Sequence, residues 1–191
     1  MTRYATIVAD PPWKTMAGPL TGREGFGDAQ RSKPLPYPTM TVTQIMALPV
    51  RTVAADNAHL YLWTTNGYLR AAFAVARSWG FRYSTLLTWA KNVMGGGMGG
   101  AFGISTEHIL FCRRGSLRAH GRVGGTWFNW KRPYDERGKP RHSAKPLEFY
   151  RLVEDVSPGP YLELFARDRR DRWHAWGNEV ESDIALEASI V

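Results

Sequence analysis

An α/β fold, a sheet with helices on its faces, is what the sequence predicts, and three observations carry it. Short apolar runs bounded by turn residues alternate with segments whose apolar residues recur at helical spacing. No internal repeat or shift of composition marks a second domain. The chain has 191 residues, 43% of them hydrophobic, which suffices for one buried core. We therefore expect a single domain over residues 1–191, with mobile loops near 14–38 and 94–104 and a basic insertion near 113–145.

Tyr4 to Ala9 reads as a short buried strand, ended by Asp10-Pro11-Pro12 because proline has no amide to give a central ladder. Residues 14–38 are rich in Gly, Pro and polar groups, and a loop that long inside a compact domain is more often functional than idle. Thr43 to Leu48 reads as a helix stopped by Pro49, and His59 to Thr64 as a strand. Asn66 can cap a helix running to about Trp79, whose stripe is Leu69, Ala72, Phe73 and Ala76 and whose stop is Gly80. Phe81 to Trp89 and His108 to Cys112 follow as strands. Pro146 suits the first turn of a helix with Phe149, Leu152, Val153 and Val156 on one face. Ser157-Pro158-Gly159-Pro160 breaks it, and Tyr161 to Phe165 begins another strand.

Composition excludes several classes. A charged fraction of 22% beside that apolar content is not the signature of a disordered chain. One cysteine, Cys112, forbids an internal disulfide or a cysteine-rich zinc site, and the five histidines show no paired metal spacing, so no metal is expected. No apolar stretch is long enough to span a bilayer, and the first ten residues lack the apolar core of a signal peptide. The expectation is a cytoplasmic protein without a membrane partner.

The formal charge is +8, from 25 Lys+Arg and 17 Asp+Glu, and it is concentrated. Ten Lys/Arg and two acids lie between Arg113 and Lys145, so this block carries the whole excess and the remainder is neutral. Such a block points to a polyanion, with a solvated basic loop as the plainer alternative.

The strongest motif is Asp10-Pro11-Pro12-Trp13, whose chance occurrence in a chain of this size is on the order of one in several thousand. It suits methyl transfer to an aromatic amine. The exocyclic nitrogen of adenine is a poor nucleophile because its lone pair is delocalised into the ring. An Asp10 carboxylate can accept one N–H and the Pro11 carbonyl the other, orienting the lone pair and stabilising developing positive charge. The prolines stiffen the backbone, and Trp13 offers a stacking face. A rigid turn after a strand, with Asp10 capping local amides, explains the same residues without chemistry.

Residues Tyr4 to Trp13 resemble the catalytic strand and loop of MT-A70-type N6-adenine methyltransferases. The resemblance continues through Pro36-Tyr37-Pro38-Thr39-Met40, Leu60-Tyr61-Leu62-Trp63, Thr88-Trp89-Ala90-Lys91 and Glu107-His108. It resumes at His142-Ser143-Ala144-Lys145-Pro146, Glu163-Leu164-Phe165-Ala166-Arg167 and Trp176-Gly177-Asn178-Glu179. These blocks stand in family order over roughly residues 4 to 180, which is far more specific than the tetrapeptide.

The resemblance implies a Rossmann-like methyltransferase sheet in circularly permuted order, catalytic motif first and main cofactor motifs last. It implies S-adenosylmethionine as cofactor, held by Asp10, Lys145, Phe165, Arg167, Asn178 and Glu179. Lys145 would meet the methionine carboxylate, and Glu179 would accept from the ribose hydroxyls. The catalytic set is Asp10, Pro11, Pro12 and Trp13. Trp13 and Tyr37 would stack the target base, with Trp127 as a further aromatic near it. Arg113, Arg114, Arg118, Arg122, Lys131 and Arg132 would grip phosphates. A homodimer is also consistent with the family.

The chain departs from the family pattern in three places. Glutamate replaces the common glutamine at position 179. After Phe165 it reads Ala-Arg-Asp-Arg-Arg where many relatives have Gly-Arg-Pro-His-Asn, so Arg169 and Arg170 stand in place of a His and an Asn. Only nine residues precede Asp10, where larger relatives have a segment near the cofactor's adenine.

Two features are set aside. Gly95 to Gly100 formally contains G-x-G-x-x-G but leads into a β-rich run rather than a helix, so it is not a dinucleotide site. Cys112 lies inside an apolar strand and is not a nucleophile. The functional expectation is an adenine N6 methyltransferase acting on nucleic acid, with DNA favoured over RNA. It needs a flipped or unpaired adenine, because pairing hides that nitrogen. A catalytically silent nucleic-acid-binding subunit is the alternative of another class.

Overall fold

The computed structural model describes residues 2–14, 38–91, 102–138, 141 and 144–186. The expected loops near 14–38 and 94–104, and with them Tyr37 and most of the glycine run, lie largely outside the described residues. Among those described, seven strands form one mixed sheet.

The chain begins with β1 (Tyr4–Ala9), α1 (Val42–Ala47) and the single turn α2 (Val50–Val53). It continues through β2 (Ala54–Thr64), a 3₁₀ turn (Asn66–Tyr68), α3 (Leu69–Ser78), β3 (Arg82–Ala90), β4 (Thr106–Arg114) and β5 (Trp127–Phe128). It closes with α4 (Leu147–Val156), β6 (Tyr161–Leu164) and β7 (Trp173–Trp176). The strand order is β5-β3-β4-β2-β1-β6-β7, and β4 runs antiparallel to both neighbours. The pairs β1–β2, β1–β6, β6–β7 and β3–β5 are parallel.

Both faces of the sheet are covered, which is why β1 is apolar almost throughout. Ile7, Ala9, Leu60, Leu62, Leu162 and Leu164 point to one face, against Ile45 of α1 and Ala72, Val75 and Ala76 of α3. The alternate residues Val8, Tyr61 and Trp63 point to the other, against Phe149, Tyr150 and Val153 of α4. Burying a large apolar side chain contributes roughly 1.5–3 kcal/mol, so these two layers hold the sheet.

Several expectations shift in detail. Asn66 does not cap the helix; it begins the 3₁₀ turn, and its side chain bonds to Thr106 and His108 instead. The helix that follows is buried through Ala72, Val75 and Ala76, with Leu69 and Phe73 at its half-buried margin. α1 is fixed by a box that reads plainly in the sequence, Thr41 accepting from the Gln44 amide while the Gln44 side chain accepts from the Thr41 amide. β5 and β7 had no strand signal because they are short and stand at the two edges. Gly80 ends α3 with φ +84°, as a left-handed stop requires. No described helix is long and apolar enough to cross a membrane.

Candidate active site

β1 and β6 lie side by side, yet the chain leaves β1 toward β2 and leaves β6 toward β7. This divergence opens a crevice at the carboxyl ends of parallel strands, where ligands of open α/β sheets bind. Asp10 follows β1 into it, and Phe165, Ala166 and Arg167 follow β6. The Asp10 amide donates to the Leu164 carbonyl at 3.5 Å, so the two strand ends are joined there.

An open cavity of about 490 Å³ occupies the crevice, a volume that suits a small organic ligand. Seven cationic side chains and four carboxylates line it, among them Asp10, Lys131, Arg132, Lys145, Glu163, Arg167 and Arg170. Phe165 lines it too, with its backbone held at φ +62° and its ring edge-on to Trp176. Such a conformation costs a non-glycine residue on the order of 1–3 kcal/mol and is kept only where the surroundings enforce it. Gly177 supplies part of that enforcement. A Cβ there would meet the Ala166 carbonyl oxygen at 2.3 Å, so only glycine lets the two turns touch.

Four charges form a chain at the mouth of β1. Lys145 Nζ lies 2.8 Å from Asp10 Oδ2 and 3.3 Å from Glu107 Oε2, and sits 4.6 Å over the Trp63 ring. Glu107 also pairs with Lys91. Burial pushes Asp10 above the usual carboxylate range, Lys145 opposes that rise, and Glu107 adds to it. Burial would also raise Glu107, but the Lys145 and Lys91 ammoniums outweigh it and hold its carboxyl down at about 2. Lys145 is raised, because two carboxylates outweigh the cost of its burial. The sequence blocks contained Glu107 and Lys91 without giving them a role. The available signal was Lys91 just after the Leu86 to Ala90 run and Glu107 just before the Ile109 to Cys112 run.

Glu163 and Tyr150 form a second pair on the α4 side of the same cavity, the hydroxyl donating to Glu163 Oε1 at 2.6 Å. Burial raises the Glu163 carboxyl to about 7. The Arg170 guanidinium carbon lies over the Tyr150 ring, 3.5 Å from its centroid, and the buried Nε has no hydrogen-bond partner.

The expected site residues divide. Asp10, Lys145, Phe165 and Arg167 line the cavity together, and Arg167 reaches Glu179 at 3.4 Å. Asn178 is exposed in the turn after Gly177. Trp13 corrects the expectation of a stacking platform. It is 5% exposed, its ring is stacked on Tyr68 at 5.2 Å, and its indole N–H donates to the Trp63 carbonyl. It anchors the DPPW turn to the core instead. The Pro11 carbonyl already accepts from the Trp13 amide at 2.8 Å, so one of its two lone pairs is engaged, and Pro12 accepts from Met40.

The basic block also divides, which corrects the expectation that it lies together beside the DPPW turn. Lys131 and Arg132 line the cavity, as does Arg141. Arg113 and Arg114 pair with His59 and Ala58, at the end of β2 opposite Thr64. The five residue steps from His108 to Arg113 along β4 span roughly 16 Å at strand rise. Arg113 donates to the Leu117 carbonyl and Arg114 to the Arg51 carbonyl, with Asp56 3.8 Å away. The segment carrying Arg118 and Arg122 is held at the same far end, since His120 donates to the Val156 carbonyl at the close of α4. Trp127 is 63% exposed on β5 and pairs with Thr88, near the site end.

A mixed sheet with one reversed strand, helices on both faces and a charged crevice at the ends of β1 and β6 defines an α/β protein of the methyltransferase-like class. The MT-A70 family model matches residues 4–179, and the chain belongs to that family. It is similar to the Type II methyltransferase M.MunI of Mycoplasma sp, with 28% identity over 93% of this chain and 78% of that protein. It is 25% identical to the human N(6)-adenosine-methyltransferase catalytic subunit METTL3 over 99% of this chain and 30% of that protein. With the human N(6)-adenine-specific methyltransferase METTL4 it shares 27% identity over 93% of this chain and 37% of that protein. The chain thus spans about three quarters of M.MunI and roughly a third of the two human relatives.

Proposed function

We propose that the protein transfers a methyl group from S-adenosylmethionine to the N6 amine of adenine in nucleic acid, with DNA as the substrate. The observation that carries this reading is Asp10 at the end of β1, held by Lys145 and opening into a cavity whose opposite wall is Phe165 to Arg167. Family membership and relatives named for N6 methylation of adenine or adenosine support the chemistry. DNA is favoured because, of the three relatives compared, the Type II methyltransferase shares the highest identity with this chain, 28%.

The residues fit the cofactor. The cavity has the right size, and it offers both signs of charge to a ligand that carries both. By resemblance, Arg167 and Glu179, an ion pair at 3.4 Å, would hold the ribose hydroxyls, and Phe165 and Lys145 line the same cavity as Arg167. When bound, the cofactor supplies an electrophilic methyl carbon on a sulfonium.

Asp10 accepts an N6–H of the target base through its carboxylate. Burial raises the basicity of that group, and Lys145 keeps it oriented. The second lone pair of the Pro11 carbonyl is available to the other N6–H. Both contacts localise the nitrogen lone pair and grow stronger as positive charge develops, which is what lowers a barrier. Lys131 and Arg132, which line the cavity, would meet the polyanion, Arg141 beside them being paired with Asp168, and Trp127 offers an exposed ring. Tyr37 is retained as a base-stacking residue by resemblance. The permuted motif order is supported by β1 being first in the chain while its neighbour β6 comes sixth among the strands.

The test is transfer of labelled methyl to matched single-stranded DNA, duplex DNA and RNA, followed by nucleoside analysis. N6-methyladenine in DNA is expected. Product in RNA alone would replace the DNA reading, and wild-type protein that binds no S-adenosylmethionine would favour the silent subunit.

A further inference from the structure

Residues 127–134 cross the open end of the sheet in a stretch that none of the family blocks covers, since it lies between Glu107-His108 and His142 to Pro146. The segment starts on β5 at the sheet edge, where the Thr88 amide donates to the Thr126 carbonyl. Two rings fasten it. Phe128 stacks on Trp130 at 4.3 Å, Trp130 packs edge-on to Phe149 of α4, and the Trp130 carbonyl accepts from the Trp89 indole at 3.0 Å. No helix or turn interrupts residues 129–133. The Pro133 carbonyl then accepts from the Arg141 amide at 2.9 Å, and the Arg141 guanidinium reaches Asp168, just after β6. The segment therefore runs from the β5 edge toward the β6 side of Asp10.

What it leaves outward is aromatic and basic. Trp127 is 63% exposed and Tyr134 59%, one at each end, and Lys131 and Arg132 line the cavity between them. These two cations differ from the other five of the cavity. Arg141, Lys145, Arg167 and Arg169 each pair with a carboxylate, and Arg170 interacts with Glu163. Lys131 and Arg132 have no ion pair among the described residues. Packing does not account for two large rings left in water on either side of two unneutralised cations. A ligand with flat faces and regularly spaced anions does.

We infer that residues 127–134 form a track for an unpaired strand, in which bases flanking the target adenine stack on Trp127 and Tyr134 while Lys131 and Arg132 hold phosphates between them. This deepens the function proposed above and rests on it for the adenine at Asp10. In a duplex, pairing and stacking keep both faces of every base inside the helix, so the track selects DNA that is single-stranded or locally opened. Trp127 stands four strand spacings from β1, roughly 19 Å, which a stacked strand covers in about six nucleotides. Its contact is too far from the reacting amine to enter the chemistry and acts on binding.

The experiment measures affinity by fluorescence anisotropy on the full chain for one adenine-containing DNA in three forms: single strand, fully paired duplex, and duplex with an unpaired stretch of about twelve nucleotides centred on the adenine. Wild type is expected to bind the single strand at least tenfold tighter than the duplex, and the unpaired stretch to recover most of that difference. W127A and Y134A should each weaken single-strand binding about tenfold and leave duplex binding unchanged, and W127F should restore most of the loss. A walk of single abasic sites tests the contact itself. Wild type should lose about tenfold at one position within about six nucleotides of the adenine, and W127A should lose nothing further there. Y83A, which removes an exposed ring at the far end of the sheet, should change none of these values. Equal wild-type affinity for single strand and duplex overturns the track with no variant needed. An abasic walk that W127A and Y134A leave unaltered, or a loss in Y83A as large as in W127A, also overturns it. Methyl transfer to adenine without strand preference would refute the track and keep the proposed function, whereas strand-selective binding without N6-methyladenine in the product would do the reverse.

Discussion

The two ends of the sheet carry similar charges and use them differently. At the far end, Arg113 donates to the Leu117 carbonyl and Arg114 to that of Arg51 in α2, and His59 lies between Ser157 and the Leu117 carbonyl at 2.8 and 3.2 Å. Tyr61 donates to or accepts from the same Ser157 hydroxyl, and burial lowers His59 below the usual imidazole value. Every polar group named there has a protein partner, so that end is a clasp between β2, β4 and the close of α4. At the site end, charges are paired across an open cavity or, at Arg170, left with an unmet donor. At one end positive charge holds the Leu117 and Arg51 carbonyls, and at the other it lies among carboxylates around an open cavity. Net charge along the sequence does not separate these uses; burial and partners do.

Four experiments break or sharpen this contrast. The largest effect is expected at Asp10. D10A should lower methyl transfer by about 10³-fold or more while cofactor binding stays measurable. Turnover near the wild-type rate would remove Asp10 from the mechanism.

Next comes the charge chain. E107Q leaves Lys145 and Lys91 short of a carboxylate and should cost about 3–5 kcal/mol at neutral pH by denaturant unfolding. The sign with pH follows from the depressed carboxyl. Glu107 ordinarily titrates near 4.5 and is held here at about 2, so its stabilisation is complete above about 4.5 and lost as pH falls toward 2. Wild type and E107Q should therefore converge across that window. Parallel curves there would show that Glu107 is not held low.

The basic residues allow the ends to be compared directly. K131A with R132A should weaken DNA binding about tenfold and reduce the slope of log K on log salt by roughly two. R113A with R114A should leave that slope unchanged and instead cost about 1–3 kcal/mol of stability through lost carbonyl bonds. A salt slope that falls with the second pair and not the first would reverse the assignment of the two ends. The smallest effect is expected at a residue outside both. T41A should cost about 1 kcal/mol through its capping box, with methyl transfer unchanged in folded protein.

What the sequence made legible was whatever depends on short range. The β1 run, the Gly80 stop, the proline start of α4 and the breaker at Ser157 to Pro160 are local signals, and each lies where expected. Motif order carried the family and the cavity residues Asp10, Phe165 and Arg167. What failed was partner choice. Trp13 reads as a free aromatic until Tyr68 and Trp63 fold against it, and Asn66 reads as a cap until β4 brings Thr106 within reach. The basic block reads as one feature because strand reversal at β4 is invisible in a charge count, although it sends Arg113 and Lys131 to opposite ends.

The placement of β1 between β2 and β6 has a consequence for how the molecule assembles. β1 ends at Ala9 and β6 begins at Tyr161, about 150 residues later. One edge of β1 therefore waits for nearly the whole chain before it is paired, and closing so large a loop is entropically slow. Until then, Ile7 and Val8 border an open, apolar strand edge that can recruit another chain. A fragment ending before β6 should aggregate rather than act as a smaller enzyme. The pocket is thus also a checkpoint, because only a chain that has completed its fold possesses both of its walls.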